Sequence, residues 1–232
     1  GSWLCTSAPM PTRSPESHRE LAQGGFMTRL YLIRHGRSTA NAQGLLSGRL
    51  PGIDLDEHGI AQAKALAKQF GATDLKAIVS SPVSRCQQTA NFLSEEKSMG
   101  IVSDERFTEM DFGLWQGRFL ADLAKEQMWT AVQREPSSVR FPEGETFQEV
   151  ANRSTEGIRH WNDLLGVGSY AVFTHADVIK VAVAQVLGLP LDNFQRISVD
   201  PCSITIVDYA DDKATLRALN VRVEFSDSMV VA

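Results

Sequence analysis

The chain has 232 residues, 43% of them hydrophobic and 22% charged, with a formal net charge of −5. That length suits one large α/β domain or two small ones, and the acidic balance excludes nucleic-acid binding by bulk charge. The three cysteines, Cys5, Cys86 and Cys202, are widely spaced and odd in number, which argues against a disulfide framework or a zinc site and for a reducing, cytoplasmic setting.

Residues 1–26, "GSWLCTSAPMPTRSPESHRELAQGGF", are rich in Ser, Pro and Gly and lack the apolar core of a signal peptide. They read as a mobile tail, the alternative being a helix docked through Trp3 and Leu4. Gly1-Ser2 has the look of a cloning scar, and Met27 falls where the folded unit begins. Leu30 to Ile33 is a short buried strand running straight into Arg34, His35 and Gly36. The loop "GLLSGRLPGIDLDEHG" follows, then the helix "GIAQAKALAKQFG" with Ile60, Ala63, Leu66, Ala67 and Phe70 as its apolar stripe and Gly71 as its stop. "LKAIVSS" is the next strand. "SPVSRCQQTANFLSEE" is a helix with Ser81 as N-cap and Pro82 in its first position.

"FTEMDFGLWQG" is irregular, "FLADLAKEQMWTAVQRE" reads as one helix, and the "PEGET" loop leads into a helix near Thr146. "SYAVFT" is a strand, "ADVIKVAVAQVLG" a helix ending at Gly188, and "SITIVDY" and "TLRALNV" are strands flanking the turn "ADDK". Strands alternating with helices predict a mostly parallel central sheet with helices on both faces, closed by an antiparallel hairpin. The domain spans residues 27–221, with 222–232 as a C-terminal tail. No apolar run approaches the roughly 20 residues of a membrane helix.

Three strands end in reactive residue types. The first delivers Arg34 and His35, the second leads to Arg85 in the first turn of its helix, and the late strand delivers His175, followed by Ala176. Ligands of open α/β sheets sit beyond the carboxyl ends of the strands. Two guanidiniums and a helix N-terminus there suit a phosphate. Singly, each residue has a structural explanation: a hydrogen-bonded histidine, a surface arginine in an ion pair, a core Cys86. Together, cations abutting buried strands need an anionic partner.

The blocks "RHGRSTAN", "SSPVSRCQQTA", "EMDFGLWQG", "PEGET" and "THADVI", in that order, resemble the histidine phosphatase superfamily, phosphatase branch, also called phosphoglycerate mutase-like, over about Thr28 to Val221. The resemblance implies a three-layer α/β sandwich and a phosphohistidine mechanism. On it, His35 is the nucleophile, Arg34, Arg85 and a protonated His175 form the phosphate pocket, and Asn41 closes it. Ala176 offers a backbone N–H, and Glu109 is the proton donor, with Asp111 second in line. No cofactor or metal is implied. Arg37 replaces the family's usual Glu or Gln and either adds charge at the pocket rim or faces solvent. Arg49 reads as a solvated loop arginine, the alternative being a contact to a second anionic group. Thr146 caps its helix toward Glu149, which accounts for "PEGET" without catalysis. Trp129, Phe141 and Phe147 are either a substrate-facing apolar wall or core.

The expected activity is metal-independent hydrolysis of a small phosphomonoester. The alternatives are a phosphoglycerate mutase-type phosphomutase and a non-catalytic phosphate-binding or scaffold protein on the same fold. For the first alternative, the sequence lacks the family's Trp-Asn and Glu-Arg-His-Tyr-Gly blocks. The expected partner is a small phosphorylated metabolite, with neither nucleic acid nor membrane; a homodimer stays open.

Overall fold

The computed structural model describes residues 27–210 and 213–223. The expected N-terminal tail, and the C-terminal one beyond residue 223, lie outside the described residues.

Six strands form one sheet in the order β3-β2-β4-β1-β5-β6. They are β1 (Met27–Arg34), β2 (Ala77–Ser80), β3 (Ile101–Ser103), β4 (Gly168–Thr174), β5 (Ile204–Ala210) and β6 (Lys213–Val221). The first four are mutually parallel; β5 runs antiparallel to both β1 and β6. Side-chain alternation splits the core in two. Leu30, Leu32, Tyr170 and Val172 pack with α6 (Phe147–Leu165) and α7 (Ala176–Leu187). Ile33, Ala171 and Phe173 pack with α2 (Glu57–Gln69) and α3 (Ser84–Lys97). The result is a sheet covered on both faces by helices, as the alternating pattern predicts.

Several local expectations shift. β3, three residues long and largely exposed, carries too little apolar signal to be read from the sequence. So does α1 (Thr39–Gln43), which is closed by a Ser38–Asn41 capping box. The helix expected over residues 119–135 is two pieces, α4 (Leu120–Leu123) and α5 (Gln127–Arg134). The N–H groups of Lys125 and Glu126 bond three residues back, to Asp122 and Leu123, and that tight turn redirects the chain. Ile60, expected in the apolar stripe of α2, is 36% exposed, while Ala63, Leu66, Ala67 and Phe70 are buried. Helix α3 starts at Ser84 and not at Pro82; Val83 is its N-cap and Ser81 points elsewhere. Thr146 caps α6 in a reciprocal box with Glu149, as expected.

Candidate active site

β1 and β4 are neighbours and parallel, with Arg34 level with Thr174. His35 and His175 therefore follow at the same height beyond the strand ends, and the His35 N–H donates to Thr174 O at 3.0 Å. Their rings lie edge to face with centroids 5.3 Å apart. Arg85, 1% exposed, reaches over from the first turn of α3. Its Nε donates to His35 Nε2 (3.1 Å), and its Nη2 donates to Gly48 O (2.9 Å) and His175 Nδ1 (3.1 Å). Glu109 closes the group, with Oε2 3.3 Å from His175 Nδ1 and 3.5 Å from Arg85 Nη2.

The hydrogen bonds set the proton positions. His35 Nδ1 donates to Gly36 O at 2.7 Å, which leaves Nε2 unprotonated and able to accept from Arg85 Nε. His175 Nε2 lies 2.9 Å from Ser81 Oγ. This is where the hydroxyl expected to cap α3 has gone: it holds the second histidine. A hydroxyl both donates and accepts, so Ser81 can serve His175 neutral or charged. Burial foremost, then Arg85, pushes both histidines well below the ordinary imidazole range. These surroundings disfavour a charge on His175, so the protonated form expected during phosphoryl transfer needs an anion beside it. Burial foremost also raises Glu109 to about 7, Asp177 adding to the shift while Arg85 opposes it. Cys86, 3.4 Å from His175 Nε2, is pushed up to about 12 by burial and remains a thiol.

Two guanidinium nitrogens, Arg34 Nε and Arg85 Nη1, are buried without a hydrogen-bond partner. Such orphan donors cost free energy unless a ligand completes them. Arg34 is steadied through Nη1, which donates to Val199 O at 2.6 Å. Ala176 is the first residue of α7, where the helix leaves its N–H without an intrahelical acceptor. Asn41 is exposed, and its Oδ1 accepts from the Ser38 N–H at 3.1 Å, so it serves α1. Arg37 is paired with Asp56 at 2.6 Å. Phe141 and Phe147 are core residues, 1% exposed, and Trp129 packs against that same core and stacks on Trp115. Arg49 is solvent-accessible, as expected, and it also turns back on the protein: it donates to Glu109 O (2.7 Å) and to Glu145 (2.9 Å). Asp111 turns its Oδ1 back to the Gly113 N–H at 2.9 Å. Among the described residues, no group of three or more His, Cys, Asp or Glu side chains is placed to hold a metal ion. No helix among them is long and apolar enough to cross a membrane.

Histidine, paired arginines and a protonatable carboxyl around unfilled donors are the apparatus of phosphoryl transfer, and comparison with known proteins agrees. The model of the histidine phosphatase superfamily, branch 1, matches residues 30–222. The chain belongs to the histidine phosphatase superfamily. Phosphoserine phosphatase 1 of Hydrogenobacter thermophilus is 28% identical over 89% of this chain and 98% of its own. A protein of Cronobacter sakazakii named "Probable phosphoglycerate mutase GpmB" is 31% identical over 79% of this chain and 86% of its own. The structure of a mycobacterial glucosyl-3-phosphoglycerate phosphatase superposes with a TM-score of 0.77 at 26% identity, covering 83% of this chain and 99% of that one. This histidine phosphatase is accordingly a phosphoric monoester hydrolase.

Proposed function

We propose that this histidine phosphatase hydrolyses a small alkyl phosphomonoester through a phosphohistidine on His35. The observation that carries the reading is the pair of orphan donors, Arg34 Nε and Arg85 Nη1, around an unprotonated His35 Nε2 that Arg85 Nε holds in place. The phosphoryl oxygens take those donors, with the Ala176 N–H completing the cradle and Asn41 at the rim. His35 Nε2 attacks phosphorus in line with the ester oxygen. The P–O bond breaks, and Glu109 gives its proton to the departing alkoxide. Water then attacks the phosphohistidine, its proton returns to Glu109, and inorganic phosphate leaves with His35 restored. Burial still disfavours a charge on His175, but a dianion against Arg34 and Arg85 offsets their repulsion and attracts a proton, so His175 becomes charged as substrate binds. Phosphoserine and glucosyl-3-phosphoglycerate, named for two of the relatives, are both alkyl phosphates and mark the substrate class. The free buried thiols of Cys86 and Cys202 support a reducing, cytoplasmic setting.

Mixing labelled alkyl phosphate with enzyme and quenching in alkali should trap acid-labile label on His35. His35→Ala should still bind inorganic phosphate but carry no label. Turnover by that variant near the wild-type rate would refute the nucleophile. The mutase reading draws on the Cronobacter relative, and product analysis separates the two: released phosphate supports hydrolysis, an isomerised phosphoglycerate supports the mutase.

A further inference from the structure

The "PEGET" segment does more than start a helix. Glu145, in the turn before α6, receives Arg153 of α6 in a two-pronged ion pair: Nε to Oε1 at 3.0 Å and Nη2 to Oε2 at 3.1 Å. Its Oε2 also accepts the Asp111 N–H (3.0 Å) and Arg49 Nη2 (2.9 Å). Half burial pushes the Glu145 carboxyl up, but hydrogen bonds from Arg153 and the Asp111 N–H outweigh it, and the group stays ionised below the usual range. Arg153 spends its other donors on one stretch of backbone. Nη1 reaches Arg106 O (2.9 Å) and Thr108 O (2.6 Å), and Nη2 reaches Glu109 O (3.2 Å). Arg49 Nε meets the same Glu109 carbonyl from the other side at 2.7 Å.

Residues 106–111 form a 3₁₀ turn and extended chain with no sheet or long helix of their own. Left to themselves they could not place a carboxylate to a fraction of an ångström. The two loops also meet backbone to backbone: a Cβ on Gly113 would sit 1.9 Å from Pro142 O, and one on Gly144 would sit 2.4 Å from Asp111 O. The Phe-Gly and Glu-Gly pairs are what permit that approach.

We propose that the Glu145–Arg153 pair, braced by Arg49, is a positioning device that fixes the Glu109 backbone so its carboxyl meets the leaving oxygen. None of the three side chains touches substrate in this assignment; they act through the Glu109 main chain. The proposal rests on Glu109 being the acid, and the test separates the two. Single-turnover bursts of phosphoenzyme formation are compared for an alkyl phosphate, whose leaving oxygen needs a proton, and an aryl phosphate, whose oxygen needs little.

Glu109→Gln is the reference and should slow the alkyl burst selectively. Arg153→Lys, which keeps charge but loses the fork, and Glu145→Gln should do the same. We expect about tenfold or more for the alkyl phosphate and under about threefold for the aryl phosphate, with binding of inorganic phosphate retained. A selective Glu109→Gln beside unselective Arg153 and Glu145 variants, slowed equally or not at all, overturns the positioning role and leaves the acid standing. An unselective Glu109→Gln fells both. Should Arg153→Lys fail to fold, Arg49→Lys, at a third-exposed side chain, carries the same comparison: selective slowing of the alkyl burst supports the positioning role, and unselective slowing or none overturns it.

Discussion

Arg85→Lys tests whether the pocket works by charge or by shape. Arg85 makes four contacts, to His35 Nε2, Gly48 O, His175 Nδ1 and Glu109 Oε2, and keeps Nη1 unpaired, which we assign to the phosphoryl group. A lysine ammonium is one compact point and can replace one of those contacts at a time. It keeps the charge, so a pocket that works by charge alone would barely notice. A pocket that works by prearranged donors loses at least one transition-state contact, which costs about 2.7–4 kcal/mol, or roughly 10²–10³ in kcat. The Gly48 carbonyl is abandoned as well, and losing its donor should lower folding stability by about 1–3 kcal/mol. The assay is kcat on an alkyl phosphate at saturation, with a urea melt of the same preparation. A kcat within about threefold of wild type would refute the argument from geometry.

Glu109 binds a proton more tightly in the folded protein than its ordinary value of 4.5 allows, being raised to about 7. The folded state therefore holds extra protons between those values, and stability contributed by this group falls as pH rises across that window. Glu109→Gln should abolish the slope and gain roughly 1–3 kcal/mol relative to wild type at pH 8 in urea melts; an unchanged slope would count against a dry, protonated carboxyl. Above about pH 8, where free inorganic phosphate is already a dianion, its binding should draw protons onto His175 and Glu109, measured calorimetrically in buffers of different ionisation enthalpy; His175→Asn should lower the uptake, and an unchanged uptake would contradict a charged His175. Turnover should persist in EDTA, because Arg34 and Arg85 supply the neutralising charge; loss restored by one divalent ion would contradict this.

Much of the site is legible in the sequence because its residues lie at strand ends, where local sequence and topology coincide. "LYLIRHG" announces both the buried strand and what protrudes from it, and "AVFTHA" does the same for β4. What stays hidden depends on contacts far apart in the chain. Ser81 has every local mark of a helix cap, since nothing nearby says that His175, 94 residues on, will claim its hydroxyl. Arg49 reads as loop charge, and Arg153 carries no signal at all, for the same reason: besides Glu145, their partners are backbone carbonyls, which have no sequence signature. The protonation state of His175 is hidden too, because residue type gives neither depth of burial nor the nearness of Arg85. Between Trp115 and Thr146, Phe141 and Trp129 join the core shared with α6 and α7, while Phe119 stays exposed, a division that residue type alone does not show.

The spacing of the two histidines comes from adjacent hydrogen-bonded strands, and strand separation is among the least adjustable lengths in any protein. Selection for a new substrate can hardly widen or narrow that gap without unpicking the sheet. Glu109, the proposed acid, arrives on a separate stretch of chain between β3 and α6, fastened by side chains and loop contacts. Divergence among relatives should therefore concentrate in that stretch, as a lathe keeps its spindle while the tooling is exchanged. An engineer grafting residues 105–146 from one relative onto another should retain phosphoryl chemistry and inherit the donor's choice of ester, provided Glu145 travels with the graft and meets an arginine at position 153.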